Sequence, residues 1–347
     1  MTLCFLDIYN SKNKGGFYMT ILVLGGAGYI GSHTTYELIE KGYDVVIVDN
    51  LETGYREAVH KEARFYEGDI RNREFIDGVF EKEKVDAVIH FAANSLVGES
   101  MVKPLKYYDN NLCGTKVLLE SMLAHGIDKI VFSSTAATYG EPENIPILES
   151  DPTNPTNTYG ETKLSMEKMF KWTSLAHNLR YVSLRYFNAC GAHKSGNIGE
   201  AHNPETHLIP LILQVPLGKR EYISIFGDDY DTKDGTCVRD YIHVTDLAMA
   251  HIKAVEYLVA GNESDIFNLG NGVGFTVNEV IESARNVTGH PIKAVVEKRR
   301  AGDPAVLIAS SEKARQILGW SPVHVDIQEI IASAWEWHKN NPNGYDK

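Results

Sequence analysis

The sequence predicts an α/β protein with a doubly wound parallel sheet, followed by a smaller C-terminal α/β lobe. Three observations predict this fold class. Apolar runs of strand length recur through the first half of the chain, amphipathic helical stretches separate them, and a glycine-rich turn follows the first run. Runs that are apolar on both faces are typical of parallel strands covered by helices on both sides.

The elements follow in order along the chain. Strands are predicted at 21–26, 44–50, 64–70, 87–93, 129–135 and 181–188. After about residue 190 the pattern loosens into loops rich in Gly, Asn, Asp and Pro, with helices predicted near 245–260, 276–288 and 326–339. We therefore predict a first domain over 19–185 and a second lobe over 186–347. Residues 1–18 are expected to be an N-terminal extension, because "TILVLGG" directly after Met19 has the form of a natural start.

Composition excludes several classes of function. The formal net charge of -12 argues against a nucleic-acid partner, which would need clustered Lys and Arg. No apolar run reaches the length of a membrane-spanning helix, so no membrane partner is expected. The four cysteines are scattered without a CxxC pair, which favours reduced thiols in the cytoplasm. Neither an HExxH motif nor a Cys/His pairing is found, so no metal site is expected.

A glycine-rich turn, "GGAGYIG", follows the first predicted strand and opens the first predicted helix. Gly25, Gly28 and Gly31 give the spacing GxxGxxG, in which the second glycine lets backbone amides approach a pyrophosphate at the helix N-terminus. Asp49 ends the second strand, where an acid binds the adenosine ribose and repels the 2′-phosphate of NADP. These features predict a Rossmann-type domain that binds NAD.

The stretch "TNTYGETK", residues 156–163, places Tyr159 and Lys163 four positions apart at the predicted start of a helix. Thr158 and Glu161 have the spacing of a capping box. The tyrosine and the lysine would then lie on one face, one turn apart. Two interpretations are open at this point: a surface tyrosine packed on a lysine stem, or an acid–base pair.

The order of GxxGxxG, "SSTAATYG" at the end of the fifth strand and YxxxK resembles the extended short-chain dehydrogenase/reductase superfamily. A larger set of motifs is similar to the UDP-glucose 4-epimerase family: "GGAGYIGSH", "FAA", "KPLKYYDNN", "LRYFNACGAH", "FGDDYDTKDGTCVRDYIHV", "NLGNGVG" and "RRAGDPA". The resemblance implies interconversion of UDP-glucose and UDP-galactose by oxidation at C4, rotation of the 4-keto sugar and re-reduction on the opposite face. It also implies a tightly bound NAD and a homodimer.

The resemblance implies a catalytic role for three residues. Tyr159 would act first as base and then as acid, Lys163 would lower its pKa and hold the nicotinamide ribose, and Thr135 would hydrogen-bond the sugar hydroxyl. A phenol with a pKa near ~10 is a poor base at neutral pH, so a neighbouring cation is required, and both Lys163 and the positive charge of oxidised nicotinamide would favour the phenolate. This favours the acid–base interpretation of the pair.

The resemblance also implies two sets of binding residues. NAD would be bound by Gly25, Gly28, Tyr29, Ile30, Gly31, Asp49, Asn50, Asp69, Ile70, Phe91, Ala92, Ala93, Asn110, Lys163 and Phe187. The nucleotide sugar would be bound, mainly by the second lobe, through Thr135, Tyr159, Asn188, His207, Phe226, Arg239, Arg300 and Asp303. Two positions depart from the family pattern: Ser95 stands where relatives often carry Lys, and His207 where many carry Asn.

Several simpler or rival interpretations stay open. Phe91 and Ala92 could merely end a buried strand, and Asp69 could cap the next helix. A nucleotide-sugar 4,6-dehydratase shares the fold and the first oxidation, but it normally needs an Asp–Glu pair where this chain has Ala136 and Ala137. A non-catalytic NAD-sensing regulator could also use the same fold.

Overall fold

The computed structural model describes residues 19–300 and 303–345, so the predicted N-terminal extension lies outside the described residues. The described strands are β1 Thr20–Leu24, β2 Asp44–Asp49, β3 Arg64–Glu67, β4 Ala87–His90, β5 Lys129–Ser133, β6 Arg180–Tyr186, β7 Asn188–Cys190, β8 Ile223–Phe226, β9 Val238–His243, β10 Asp265–Leu269, β11 Gly274–Thr276, β12 Ala294–Glu297 and β13 Val306–Leu307. The described α-helices are α1 Tyr29–Glu40, α2 Arg73–Lys82, α3 Val97–Val102, α4 Pro104–Tyr107, α5 Gly114–Ala124, α6 Thr158–His177, α7 Leu208–Leu213, α8 Val244–Val259, α9 Val277–Thr288 and α10 Ile327–Asn340. None of these described helices combines the length and the apolar character needed to cross a membrane.

The central sheet has the strand order β10-β6-β5-β4-β1-β2-β3 within the described part of the chain. Every neighbouring pair in it is parallel. The order reverses between β1 and β4, and ligands of such sheets bind at this switch point, beyond the carboxyl ends of the strands. The predicted doubly wound α/β fold is therefore confirmed, and its strands fall within a few residues of the predicted ranges.

Helices cover both faces of this sheet. Alternate residues of a strand point to opposite faces, and accordingly Ile21 and Val23 of β1 enter one apolar core while Leu22 and Leu24 enter another. The first core includes residues of α1 and α8, and the second includes residues of α2, α5 and α6. Burial on both faces explains why these strands have no alternation of polar and apolar residues.

Part of the second half of the chain returns to the first sheet. β10 pairs in parallel with β6 through Asp265↔Val182 to Leu269↔Tyr186. α8 contributes Leu247, Val255 and Leu258 to the same core as β1 and β2. The division after residue 185 stays a prediction, and it does not separate two stretches that could each complete their own core.

The smaller lobe is built around β9. This strand pairs with β11 on one side, with β13 on the other, and with β7. β8 and β12 form a separate parallel pair. Residues of α7, α9 and α10 pack together in a core of their own, which includes Ile212, Ile281 and Ile331.

Candidate active site

The start of α6 carries Tyr159 and Lys163 to the carboxyl end of β5. Asn157, in an extended conformation, caps this helix, because its Oδ1 accepts a hydrogen bond from Gly160 N–H at 2.9 Å. The predicted capping box of Thr158 and Glu161 is therefore wrong: Thr158 is already the first helical residue. Lys163 Nζ donates a hydrogen bond of 2.9 Å to the carbonyl oxygen of Ser133, the last residue of β5.

Thr135 lies in the loop directly after β5 and caps a short 3₁₀ helix, Ala136–Thr138. Its Oγ1 accepts a hydrogen bond from Ala137 N–H at 3.1 Å, and the side chain also hydrogen-bonds Tyr159. A Cβ at Gly160 would lie 2.5 Å from the carbonyl oxygen of Ala137, so only glycine lets α6 approach this loop so closely. The three predicted catalytic residues thus lie together at one end of the sheet.

The electrostatics of the pair differ from the expectation. Burial raises the pKa of Tyr159 above its usual 10.0, and the hydrogen bond with Thr135 opposes this only in part. Burial lowers the pKa of Lys163 to about 7, although the Glu167 carboxylate favours its charged form. Lys163 alone therefore does not lower the Tyr159 pKa: burial dominates, and Lys163 Nζ lies 5.9 Å from the centre of the phenol ring and donates to the Ser133 carbonyl oxygen.

A buried ion pair between Glu167 and Arg185, which no sequence motif predicted, lies next to Lys163, and its Glu167 carboxylate favours the charged form of the lysine. Glu167, one turn further along α6, binds Arg185 of β6 through two hydrogen bonds, Nε–Oε1 at 3.0 Å and Nη2–Oε2 at 2.6 Å. Ser134 Oγ donates a third hydrogen bond to Glu167 Oε1 at 2.5 Å. The signal available in the sequence was the spacing Tyr159, Lys163, Glu167, which places all three on one helix face.

A second supporting element is a π-helical turn, Tyr108–Cys113, between α4 and α5. Within it, Asn111 Nδ2 donates to Asn94 O and to Thr162 Oγ1, while its Oδ1 accepts from Asn94 N–H and Asn110 Nδ2. π-Turns of this kind occur frequently at functional sites. Here the turn connects Asn110, a predicted cofactor residue, to the first turn of α6.

The glycine-rich turn lies against the backbone that follows β4. Gly25 has φ +78°, and a Cβ there would lie 2.8 Å from Ala92 N, so the turn touches the predicted "FAA" segment. A Cβ at Gly31 would lie 2.2 Å from the carbonyl oxygen of Gly25. Gly28 caps α1 without any side-chain hydrogen bond. An N-terminus without a side-chain cap, beside a turn too tight for side chains, fits a pyrophosphate.

Asp49 is held where an adenosine ribose would be expected. Its Oδ2 accepts from Ala27 N–H at 3.0 Å and its Oδ1 from Leu51 N–H at 2.8 Å, so both carboxylate oxygens are fixed beside the glycine-rich turn. Burial nonetheless raises its pKa above the usual value. Asn50 follows on the exposed surface, where its Oδ1 accepts from Glu52 N–H. These residues fit the ribose end of NAD.

The remaining predicted cofactor residues have mixed environments. Asp69 is paired with Arg71 and does not cap α2, whose cap is Asn72. The Ile70 side chain is buried in the second core. The Phe91 ring packs 4.6 Å from the His251 ring, while Ile30 borders the same core as Phe91. Ala93 is partly exposed, and Phe187 packs against the cluster of Ala136, Tyr139 and Ile147, next to Thr135.

Tyr29 connects the cofactor side to the second lobe. Its hydroxyl donates a hydrogen bond of 2.6 Å to the carbonyl oxygen of Gly191, directly after β7. Burial, followed by the charge of Glu200, raises the pKa of this hydroxyl well above its usual value, so the group stays a donor.

The predicted nucleotide-sugar residues fall into three contacts in the second lobe. The Arg300 guanidinium lies 3.8 Å over the ring of Phe226 at the end of β8. Arg239 of β9 forms an ion pair with Asp303. Asn188 Nδ2 donates to Asp240 O at 3.0 Å, and Asn188 and His207 line one small cavity. His207 also contacts two glutamates, which its predicted role did not include.

Comparison with known proteins agrees with this geometry. The model of the NAD dependent epimerase/dehydratase family matches residues 21–270. The chain belongs to that family. It is 60% identical to a UDP-glucose 4-epimerase of Halalkalibacterium halodurans over 94% of this chain and 98% of the relative.

Solved structures give the same result. A crystal structure of UDP-glucose 4-epimerase superposes with a TM-score of 0.93 at 58% identity, covering 94% of this chain and all of the other. The Bifidobacterium longum UDP-glucose 4-epimerase, solved in complex with NAD+ and UDP, has a TM-score of 0.89 at 42% identity, covering 94% of this chain and 100% of that one. The predicted family resemblance and the predicted NAD cofactor are thereby confirmed. The roles of individual residues stay predictions.

Proposed function

We propose that this chain interconverts UDP-glucose and UDP-galactose by oxidation at C4, rotation of the 4-keto sugar and re-reduction on the opposite face. The observation that carries the proposal is that Tyr159, Thr135 and Lys163 lie together at the carboxyl end of β5. The glycine-rich turn between β1 and α1, at the same edge of the sheet, fits the pyrophosphate of NAD. A sensor that only binds NAD has no use for a base at this position.

NAD, when bound, supplies the acceptor for the C4 hydride in the first half of the reaction and the donor in the second. Tyr159 takes the proton from the 4-hydroxyl during oxidation and returns it during re-reduction, so no proton is lost overall. Thr135, which hydrogen-bonds the Tyr159 side chain, orients the sugar hydroxyl toward the phenol oxygen. Shifting a phenol from pKa ~10 to near 7 takes ~4 kcal/mol, so Lys163 must act together with the positive charge of oxidised nicotinamide.

The second lobe binds the nucleotide while the sugar turns. Arg239 and Arg300 bind the diphosphate, since guanidinium groups match phosphate oxygens in geometry and charge. Phe226 packs near the uracil, Asp303 binds the uridine ribose, and Asn188 and His207 complete the phosphate contacts. Arg239 exchanges its internal partner Asp303 for the substrate in this scheme.

A 4,6-dehydratase is the main rival, and one labelling experiment separates the two. Ala136 and Ala137 occupy the start of the 3₁₀ helix beside Thr135, and neither can carry a proton. An epimerase exchanges only hydroxyl protons, whereas a dehydratase replaces the C5 proton from solvent. In heavy water the product should carry no deuterium on carbon by mass spectrometry. Deuterium at C5, or a 6-deoxy-4-keto product, would establish the dehydratase.

The direct test is incubation of the purified protein with UDP-galactose without added cofactor. UDP-glucose should form, and denaturation should release NAD, because a ketone that must be reduced again requires the same cofactor throughout the cycle. Protein that contains no nucleotide and works only with free NADP would contradict the proposal.

We also propose that the enzyme is a cytoplasmic homodimer. A groove between α5 and α6, lined by Leu119, Leu123, Met169 and Trp172, supports this, as does the 67% exposure of Trp172. The exposed free thiol of Cys113 is consistent with a reducing compartment. Light scattering should give twice the mass of the chain, and Trp172→Glu should give the mass of a monomer.

A further inference from the structure

Four residues of the loop between β7 and α7 form a compact group in which His207 is also a proposed substrate-binding residue; the group uses His207 Nδ1 and leaves Nε2 for the phosphate. The stretch "EAHNPETH" contributes Glu200, His202, Glu205 and His207, and one ligand atom from each lies within 4.8 Å of all the others. The spacing is neither HExxH nor a Cys/His pattern, so no metal was expected from these motifs.

The separations between these atoms are close to those of ligands around one small ion. His202 Nδ1 lies 3.3 Å from Glu200 Oε1 and 3.6 Å from Glu205 Oε2. His207 Nδ1 lies 2.9 Å from Glu200 Oε1 and 3.1 Å from Glu205 Oε1. Zinc–ligand bonds of about 2.0–2.2 Å in a tetrahedron give ligand–ligand edges of roughly 3.3–3.6 Å. The two His202 distances match these edges, and the two His207 distances are shorter, so His207 would move outward by a few tenths of an ångström on binding.

Two of the four side chains each have one buried atom without a hydrogen bond. The Glu200 side chain is only 4% exposed, and its Oε1 has no hydrogen-bond partner, although both imidazole nitrogens are near it. His202 Nδ1 is likewise buried and without a hydrogen bond. A buried carboxylate oxygen left this way would cost several kcal/mol. Glu200 Oε1 and His202 Nδ1 are close together without a hydrogen bond, as expected for ligands that face a common ion, whereas His207 Nδ1 and Glu205 Oε1 form a hydrogen bond of 3.1 Å that the ion would replace.

Glu205 is oriented by the backbone next to it. Its Oε1 accepts hydrogen bonds from Thr206 N–H at 2.8 Å and His207 N–H at 2.9 Å, while Oε2 lies on the side of His202. Hydrogen bonds that orient a ligand in this way are typical of metal sites.

We propose that Glu200, His202, Glu205 and His207 bind one Zn²⁺ in a closed tetrahedral site with two nitrogen and two oxygen ligands. Imidazole and carboxylate together suit zinc, whereas Mg²⁺ and Ca²⁺ prefer oxygen ligands alone. With four protein ligands the ion has no open position for a reacting water, so its role is structural.

The ion would hold the loop between the two sides of the active site. The His202 ring packs edge-to-face against Tyr29, with centroids 6.1 Å apart, and Tyr29 opens α1 beside the glycine-rich turn. On the other side, Gly199 is covered by Trp337 of α10, and its N–H donates to Tyr345 Oη at 3.1 Å. His207 caps α7, so the same ion fixes the start of that helix.

Without a metal, the same four side chains would form two imidazolium–carboxylate pairs, and metal analysis decides between the two arrangements. The full-length protein is purified without an affinity tag that binds metals and analysed by plasma mass spectrometry. About one zinc per chain supports the proposal. Less than about a tenth of an equivalent, together with no rise in melting temperature when Zn²⁺ is added to chelator-treated protein, overturns it. A stoichiometric metal other than zinc overturns the assignment to zinc.

A pair of variants tests the ligands. His202→Ala should lose the zinc, while His290→Ala, which removes an exposed histidine, should keep it. A strong chelator should lower the melting temperature of the parent and of His290→Ala but leave His202→Ala unchanged. Co²⁺ added to the chelated parent should give the intense visible bands of a tetrahedral site. Zinc retained by His202→Ala, or weak octahedral cobalt bands, contradicts the proposed geometry.

Discussion

The cofactor side and the nucleotide-sugar side of the proposed active site are prepared in different ways. On the cofactor side, closely packed backbone forms the site: the Gly25 turn contacts Ala92, and Gly31 lies against the carbonyl oxygen of Gly25. On the nucleotide-sugar side, charged and aromatic side chains face each other, as in the Arg239–Asp303 pair and the Arg300–Phe226 stack.

Substitutions on the two sides of the site should therefore have different effects. A change at Gly25 or Gly31 alters the fold together with cofactor binding, because a Cβ at either position would overlap backbone atoms. A change among the arginines alters substrate affinity, since their partners can rearrange. Tyr159 lies between the two sides, so its loss should affect the chemical step alone.

The largest effect is expected for Tyr159→Phe. This variant removes the phenol oxygen that moves the C4 hydroxyl proton while it keeps the ring, so turnover should fall by ~10²–10⁴-fold with NAD still bound. The measurement is conversion of UDP-galactose together with release of NAD on denaturation. Tyr257→Phe, on α8, is the matched control and should retain normal turnover. A Tyr159→Phe enzyme with turnover close to that of the parent would remove this residue from the mechanism.

A smaller effect is expected for Arg300→Ala. Losing charge-assisted hydrogen bonds to the diphosphate should raise KM for UDP-galactose by about 10- to 100-fold, with little change in kcat. The neighbouring Arg299→Ala is the control, because Arg299 is exposed and pairs with Asp229. Equal effects of the two variants on KM would mean that this basic pair acts only through its general charge.

Gly31→Ala tests the backbone side of the comparison. Its new Cβ would overlap the carbonyl oxygen of Gly25, so the free energy of unfolding should fall by about 1–3 kcal/mol and NAD should be lost on purification. Gly78→Ala in α2 meets no atom within 4 Å and should raise the free energy of unfolding by about 0.5–1 kcal/mol. Denaturant unfolding gives the free energy of unfolding of both variants, and release of nucleotide on denaturation gives their NAD content. If Gly31→Ala retains NAD, the close packing of this turn is not required for cofactor binding.

The smallest effect concerns the choice of sugar. Leu307 pairs with Arg239 across β13 and β9 and packs with Phe187 against Ala136 and Tyr139. By its resemblance to the family, Leu307 would lie beside the substituent at sugar C2, where a bulky aromatic such as tyrosine restricts the pocket. A leucine leaves more space there, so the parent should also turn over UDP-N-acetylgalactosamine. Leu307→Tyr should reduce the ratio of kcat/KM for the N-acetylated sugar to that for UDP-galactose about tenfold.

Leu307→Met, which conserves volume, should change that ratio less than twofold. Undetectable turnover of the N-acetylated sugar by the parent would place the restriction on sugar size elsewhere.

Local sequence patterns predicted most of the fold. The buried strands, the glycine-rich turn and the helices after residue 240 each have a periodicity or a turn residue that acts within a few positions. The cap of α6 is an example in which a local pattern predicted the wrong residue. Thr158 and Glu161 have the spacing of a capping box, yet Asn157, one residue earlier, caps the helix. Two adjacent residues that can both cap a helix differ only in backbone conformation, which spacing does not reveal.

The parts of the site that were missed depend on contacts between distant residues. Arg185 meets Glu167 only because β6 lies beside β5 under α6, and Asn111 reaches Thr162 across 51 positions. The expected lowering of the Tyr159 pKa was implied by the family resemblance and by two neighbouring positive charges, whereas its pKa in the protein alone depends on burial and on the contact of Lys163 Nζ with Ser133. The direction in which a side chain points and the extent of its burial are set by the packed fold and cannot be read from a short motif.

The pairing of β10 with β6 has a consequence for how the chain is made. A ribosome that has released residues only as far as β6 has produced a sheet with an open edge, whose next strand is still about 80 residues away. Contacts so distant in sequence slow folding, and an open apolar edge can pair with other chains. The sheet edge at β6 therefore stays open until Leu269 has been made, and a fragment ending at residue 185 should aggregate under conditions in which the full chain does not.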